Sequence, residues 1–161
     1  MGWFTDFIGS LFTKKPAIAP FVISPNLADL NDLSVIAMTI WGEARGEGTE
    51  GMQAVACVIQ NRAHIGGWFG RTPREVCLKP FQFSCWNRED PNRQKLLSVT
   101  LADPQYQIAY GLANSVLIGT LSDITKNADS YEVRGTHAFW ARNLKPVASI
   151  GKHDFYDTRV S

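Results

Sequence analysis

Residues 29–65 read DLNDLSVIAMTIWGEARGEGTEGMQAVACVIQNRAHI, and the spacing of apolar residues in this stretch decides the fold. Leu33, Ile36, Ala37, Ile40 and Ala44 recur at the interval that lines one face of a 3.6-residue helix. Asn31 or Asp29 supplies a side-chain oxygen for the open N–H groups of its first turn. Gly46 and Gly48 stop that helix, and Thr49 is placed to cap a second one. The second helix carries Met52, Val55, Ala56, Ile59 and Ala63 on its apolar face.

Working outward, Thr72-Pro73-Arg74-Glu75 has capping-box spacing with proline in the first turn, where its missing N–H costs nothing. It predicts a third helix. Asp103-Pro104 opens a fourth, whose buried face is Ile108, Ala109, Leu112, Ala113, Val116 and Leu117, and Gly119 ends it. From 122 to 161 the periodicity weakens. Thr136–Phe139 and Lys152–Tyr156 are the best strand candidates and are expected to pair as a hairpin. Toward the N-terminus, Pro16, Pro20 and Pro25 punctuate a linker over 17–26. Before it, Trp3, Phe4, Phe7, Ile8 and Leu11 recur at helical spacing and are followed by Lys14 and Lys15. That pattern fits a helix on a membrane surface and equally a helix docked on the domain or a partner. The expected organisation is therefore an N-terminal amphipathic segment with a Pro-rich linker over 1–25, then one domain over 26–161. That domain is mostly α, with a small C-terminal β-hairpin.

Composition narrows the function classes. The chain has 161 residues, 16 Lys+Arg against 15 Asp+Glu, 45% hydrophobic and 19% charged residues. Those values suit one globular core and exclude a disordered chain. A formal charge of +1 argues against a dedicated nucleic-acid binder, which needs many phosphate-contacting cations. No run approaches the ~18 apolar residues of a membrane span, and the N-terminus lacks the features of a signal peptide. Cys57, Cys77 and Cys85 match no CxxC redox or zinc pattern. Cys57 reads as a buried small hydrophobe, while Cys77 and Cys85 would close a short loop in an oxidising compartment.

Several constellations drop out. HExxH, GxSxG and the GK[ST] phosphate loop are absent from the sequence. Gly46–Gly51 satisfies GxGxxG literally, but a helix precedes it and two glutamates inside it would repel a pyrophosphate. His64, His137 and His153 have no ligand spacing, so neither a metal nor another cofactor is expected. The carboxylates are more informative. Glu43 and Glu47 lie at i and i+4 around the end of the first helix. Glu43 follows Ile40, Trp41 and Gly42, and a carboxyl group among apolar neighbours can stay protonated as a general acid must. The alternative is a helix-end glutamate paired with Arg45 or Arg62.

Three blocks in order resemble the SleB-type cell-wall hydrolases, the spore-cortex-lytic enzymes and their bacterial and phage relatives. They are Trp41–Glu47 with Gly51–Ala56 and Val58–Arg62, then Gln82–Cys85, then Gly135–His137 with Trp140-Ala141, Val147-Ala148 and Ile150–Tyr156. The resemblance implies a lysozyme-like, mostly helical fold related to lytic transglycosylases. It also implies cleavage of the MurNAc-β-1,4-GlcNAc bond of peptidoglycan, with Glu43 as the catalytic carboxyl. Glu47 is either the second carboxylate of a hydrolytic muramidase or a residue that fixes the loop. Gln82, Phe83 and Ser84 are expected in a cleft-lining loop, with core packing the other reading for Phe83. Tyr131, His137 and His153 are expected on the far wall. A peptidoglycan-acting monomer without cofactor follows, made in the cytoplasm and released later to the wall as a phage lysis protein, or carried on a virion. A non-catalytic wall-binding module that keeps the fold is the remaining alternative.

Overall fold

The computed structural model describes residues 27–160; the expected N-terminal amphipathic segment and the linker lie outside them. The chain forms α1 (Asp32–Ala44), α2 (Gly48–Ile65), α3 (Pro73–Leu78), α4 (Arg93–Ser98) and α5 (Pro104–Leu117), then three strands. These are β1 (Ser130–Val133), β2 (Ala148–Ile150) and β3 (His153–Tyr156), in the order β1-β3-β2 with antiparallel pairing throughout.

Local signals set most helix starts. Asn31 Oδ1 accepts from the Ser34 N–H at 2.8 Å, so Asn31 caps α1. Thr72 Oγ1 accepts from the Glu75 N–H at 3.1 Å, although the Glu75 carboxylate reaches the Arg71 N–H and leaves the reciprocal half of the box unmade. Asp103 Oδ1 takes the N–H groups of Gln105 and Tyr106 at the start of α5, and the Trp41 indole N–H from α1 as well. One cap thereby joins two helices. Thr49 does not cap α2: it lies in the helix, and Glu47 occupies the cap position without a side-chain cap bond.

The core grows around α1, which is buried on nearly every side: Val35, Ile36, Ala37 and Ile40 have no exposed surface. Helix α2 separates two apolar clusters. Met52, Val55 and Ile59 join the α1 core, while Ala54 and Val58 pack with Ala128 and Phe155 beneath the sheet. Helix α2 thus carries the sheet on the bundle. The expected hairpin of 136–139 with 152–156 does not form. Thr136 N–H turns back to Val133 O at 3.0 Å and His137 adopts φ 54, which ends the extended run. Strand β3 is flanked instead by β1 and β2. No helix among the described residues is long and apolar enough to cross a membrane.

Segment Ser84–Trp86, a 3-10 helical turn, lies against α1. Gly42 permits the approach, because a Cβ there would sit 2.7 Å from Cys85 Cβ. On its other side Trp86 donates its indole N–H to Thr39 Oγ1 at 2.9 Å. Cys77 and Cys85, which could have closed a loop in an oxidising compartment, form no bridge: all three cysteines are free and buried. Cys77 faces Thr39 from α3, whereas Cys85 is turned onto Gly42.

Gly42→Ala destabilises the fold by about 1–3 kcal/mol, because overpacking against Cys85 outweighs the gain in helix propensity. Gly111→Ala on α5, where a Cβ meets nothing within 4 Å, stabilises by about 0.5–1 kcal/mol; urea unfolding measures both signs. Burial pushes the Cys57 and Cys77 thiols from 9.0 up to about 12. Their contribution to stability is full below pH 9.0 and is lost as pH rises from there toward about 12. Unfolding free energy followed through that window should fall. A thiol reagent at neutral pH should find no reactive cysteine in the native chain and all three in urea, whereas a single one in urea would restore the bridge.

Candidate active site

Glu43 stands in the last turn of α1, half-buried, where helix, loop and sheet meet. Its Oε1 accepts the Cys85 backbone N–H at 3.0 Å. That bond depends on the close seat that Gly42 gives to the 84–86 turn. Its Oε2 accepts the Tyr131 hydroxyl at 3.1 Å from β1. The Cys85 thiol also lies within hydrogen-bonding reach of this carboxylate.

Tyr131 is itself fixed by aromatic contacts. Phe155 lies 5.6 Å from its ring and His153 meets it edge-on at 5.5 Å. Burial, and then the adjacent Glu43 charge, push its hydroxyl well above the ordinary tyrosine range, so it remains a donor. Behind it lies Arg62 of α2, a buried guanidinium. Its Nε donates to Asp129 O at 2.6 Å and Nη1 donates to Gln82 Oε1 at 3.2 Å. The rings of Phe69 and Phe83 lie 5.3 and 5.2 Å from its guanidinium carbon. Burial lowers its pKa, and the carboxylates around it, Asp129 before Glu43, oppose that shift.

Neither expected arginine forms an ion pair with Glu43. Arg45 bonds Gly42 O and Asn92 Oδ1 and lies over the Trp41 ring. Glu47 also has its own partners: Oε2 accepts the Lys152 N–H at 3.3 Å and Oε1 faces Lys152 Nζ at 3.7 Å. Gly51 makes room for it, since a Cβ there would lie 2.4 Å from Glu47 Cβ. The contact ties the α1–α2 junction to the β2–β3 turn.

The remaining sequence candidates divide. Gln82 is drawn into the site through Arg62, and His153 through Tyr131. Phe83 is 1% exposed and supports Arg62 from within the core, so it presents no surface to a ligand. Ser84 is exposed at the start of the turn that delivers the Cys85 N–H. His137 is exposed in the loop after β1 and is not among the hydrogen-bond partners of Glu43. Trp41 points away, to Asp103.

The sequence reading missed Arg62 as the centre of the site and missed the cavity beside it. That cavity, of about 490 Å³, is lined by Arg62, Trp68, Phe81, Gln82, Tyr131 and Trp140 among others. An available signal was Arg62 itself, a cation on the helix face that carries Val55, Val58 and Ile59. Among the described residues no group of three His, Cys, Asp or Glu side chains is placed to hold a metal.

The comparisons with known proteins agree with this architecture. The catalytic domain of the germination-specific lytic transglycosylase SleB from Bacillus anthracis superposes with a TM-score of 0.61 at 28% identity, covering 83% of this chain and 99% of that one. The catalytic domain of Bacillus cereus SleB gives 0.59 at 27% identity, covering 78% and 89%. The mostly helical fold with its small sheet is the lysozyme-like fold of these domains. No curated protein sequence matches the chain significantly. The sequence model described as Cell Wall Hydrolase matches residues 46–156, starting just after Glu43. Over most of its length, therefore, the chain belongs to the cell wall hydrolase family.

Proposed function

We propose that the protein cleaves peptidoglycan glycan strands at the MurNAc-β-1,4-GlcNAc bond as a lytic transglycosylase, with Glu43 as both acid and base. The observation that carries this reading is the Glu43 carboxyl group, gripped by one donor on each oxygen and still half-exposed. Family membership supports a wall substrate, and the lytic transglycosylase activity named for the Bacillus anthracis relative supports the reaction type.

Protonated Glu43 donates to the glycosidic oxygen as the bond breaks through an oxocarbenium-like state, and GlcNAc leaves with its 4-hydroxyl restored. The same carboxylate then takes the proton of the muramic C6 hydroxyl. The C6 oxygen bonds to C1 and closes a 1,6-anhydro ring. No water is consumed, so one carboxyl group serves both halves. Glu47, engaged with Lys152, is left to the fold. Tyr131 and the Cys85 N–H act by orientation: they fix where the carboxyl oxygens lie against the bond.

Turbidity loss of purified sacculi tests the assignment. Glu43→Gln keeps the shape of the site and should lower the clearing rate by about 10²–10⁴-fold; equal clearing by wild type and variant would overturn the mechanism. Tyr131→Phe removes one charge-assisted hydrogen bond and should lower kcat by about 10-fold or more with KM little changed.

A further inference from the structure

The cavity beside Arg62 and Tyr131 has a rim that the reaction leaves unexplained. Trp68 is 69% exposed, Phe81 92% and Trp140 44%, and all three line the same opening. Single exposed aromatic residues are ordinary, but three around one cavity mark a binding surface. Their positions are also held. Lys79 donates to Trp68 O and places its ammonium 4.6 Å from the Trp68 ring centre. Trp140 meets the Tyr156 ring edge-on at 5.3 Å.

Phe81 is the most telling. It is the third residue of the turn Lys79–Gln82, closed by the Gln82 N–H on Lys79 O at 3.2 Å, with Pro80 second. Its φ is 67, in the left-handed region where such a turn favours glycine and a bulky side chain is strained. The ring gains no burial in return. Strain kept without packing gain points to a ligand.

The chemistry of the cavity selects the occupant. Its rim offers flat apolar faces, while its floor carries polar side chains, Gln82 and Arg62. A hexopyranose has C–H faces to lay on aromatic rings and hydroxyl or acetamido groups around its edge, and an aliphatic ligand would leave that floor unpaired. Tyr131 lines the cavity and donates to Glu43, so a single side chain links the cavity to the carboxyl group. We propose that it is a sugar subsite, in which Trp68 and Phe81 stack an N-acetylhexosamine ring of the strand next to the cleaved linkage. The proposal rests on the glycan-cleaving reading above.

The test is calorimetric titration of the full chain carrying Glu43→Gln with the β-1,4-linked N-acetylglucosamine hexamer. Adding Trp68→Ala or Phe81→Gly should raise Kd at least about fivefold, and Trp68→Phe should restore most of the affinity. Phe81→Gly should do this while its melting temperature holds or rises, because glycine relieves the turn. A purely structural Phe81 would lower the melting temperature and leave Kd alone. With Glu43 intact, both variants should raise KM on peptide-free glycan strands and leave kcat within about twofold. Hexamer affinity equal to that of the parent in both variants overturns the subsite even if Glu43→Gln is inert. Weakened affinity in both supports it even if Glu43→Gln still cuts.

Discussion

The carboxyl group of Glu43 joins three parts of the chain through two hydrogen bonds. One partner lies 42 residues downstream in a loop and the other 88 residues downstream in a strand. Each bond is held in place by something less conspicuous. The loop reaches α1 because residue 42 has no side chain, and the strand reaches it because Phe155 anchors the sheet on α2. The short run Trp41-Gly42-Glu43 therefore carries three structural duties on successive helix positions. Trp41 bonds the cap of α5, Gly42 admits the loop, and Glu43 receives the loop and the sheet.

Arg62 is the second constraint. Burying a guanidinium is costly unless its donors and its charge are both satisfied. Here a backbone carbonyl, an amide oxygen and two aromatic faces do that, with no carboxylate at salt-bridge distance among the described residues. Breaking any of these would leave a buried cation underpaired, so the groups around it are fixed together. They include Gln82 at the cavity floor. The near-zero net charge of the chain has the same sense: attraction of an anionic polymer over distance is weak, and recognition falls to the shape and hydrogen bonds of the cleft.

What was legible in the sequence was local. Asn31, Thr72 and Asp103 act within three residues of themselves, so their caps could be read from spacing. The buried faces of α1, α2 and α5 followed from periodicity, except that Leu117 at the end of α5 is exposed. Helix α4 escaped because only Leu96 in it is buried, which is too little to make a period. Strand β1 escaped because its pairing with β3 spans 20 to 26 residues and leaves no local mark, β2 because three residues are too few to show alternation, and His137 turns the chain where alternation suggested a strand. Glu43 stood out among apolar neighbours. Its donors did not: a backbone N–H has no signature in sequence, and Tyr131 was placed on the far wall only through the family resemblance. Phe83, a member of the recognisable block, turned out to serve the site from inside the core.

The central claim is that one carboxyl group, Glu43, performs both proton transfers, with the sugar's own C6 hydroxyl in place of water. Mass spectrometry of the muropeptides released from sacculi in ¹⁸O-labelled water measures this directly. The account predicts 1,6-anhydromuramic ends with no incorporated label. Reducing muramic ends carrying ¹⁸O would contradict it, because they require a water nucleophile and a second group to activate it.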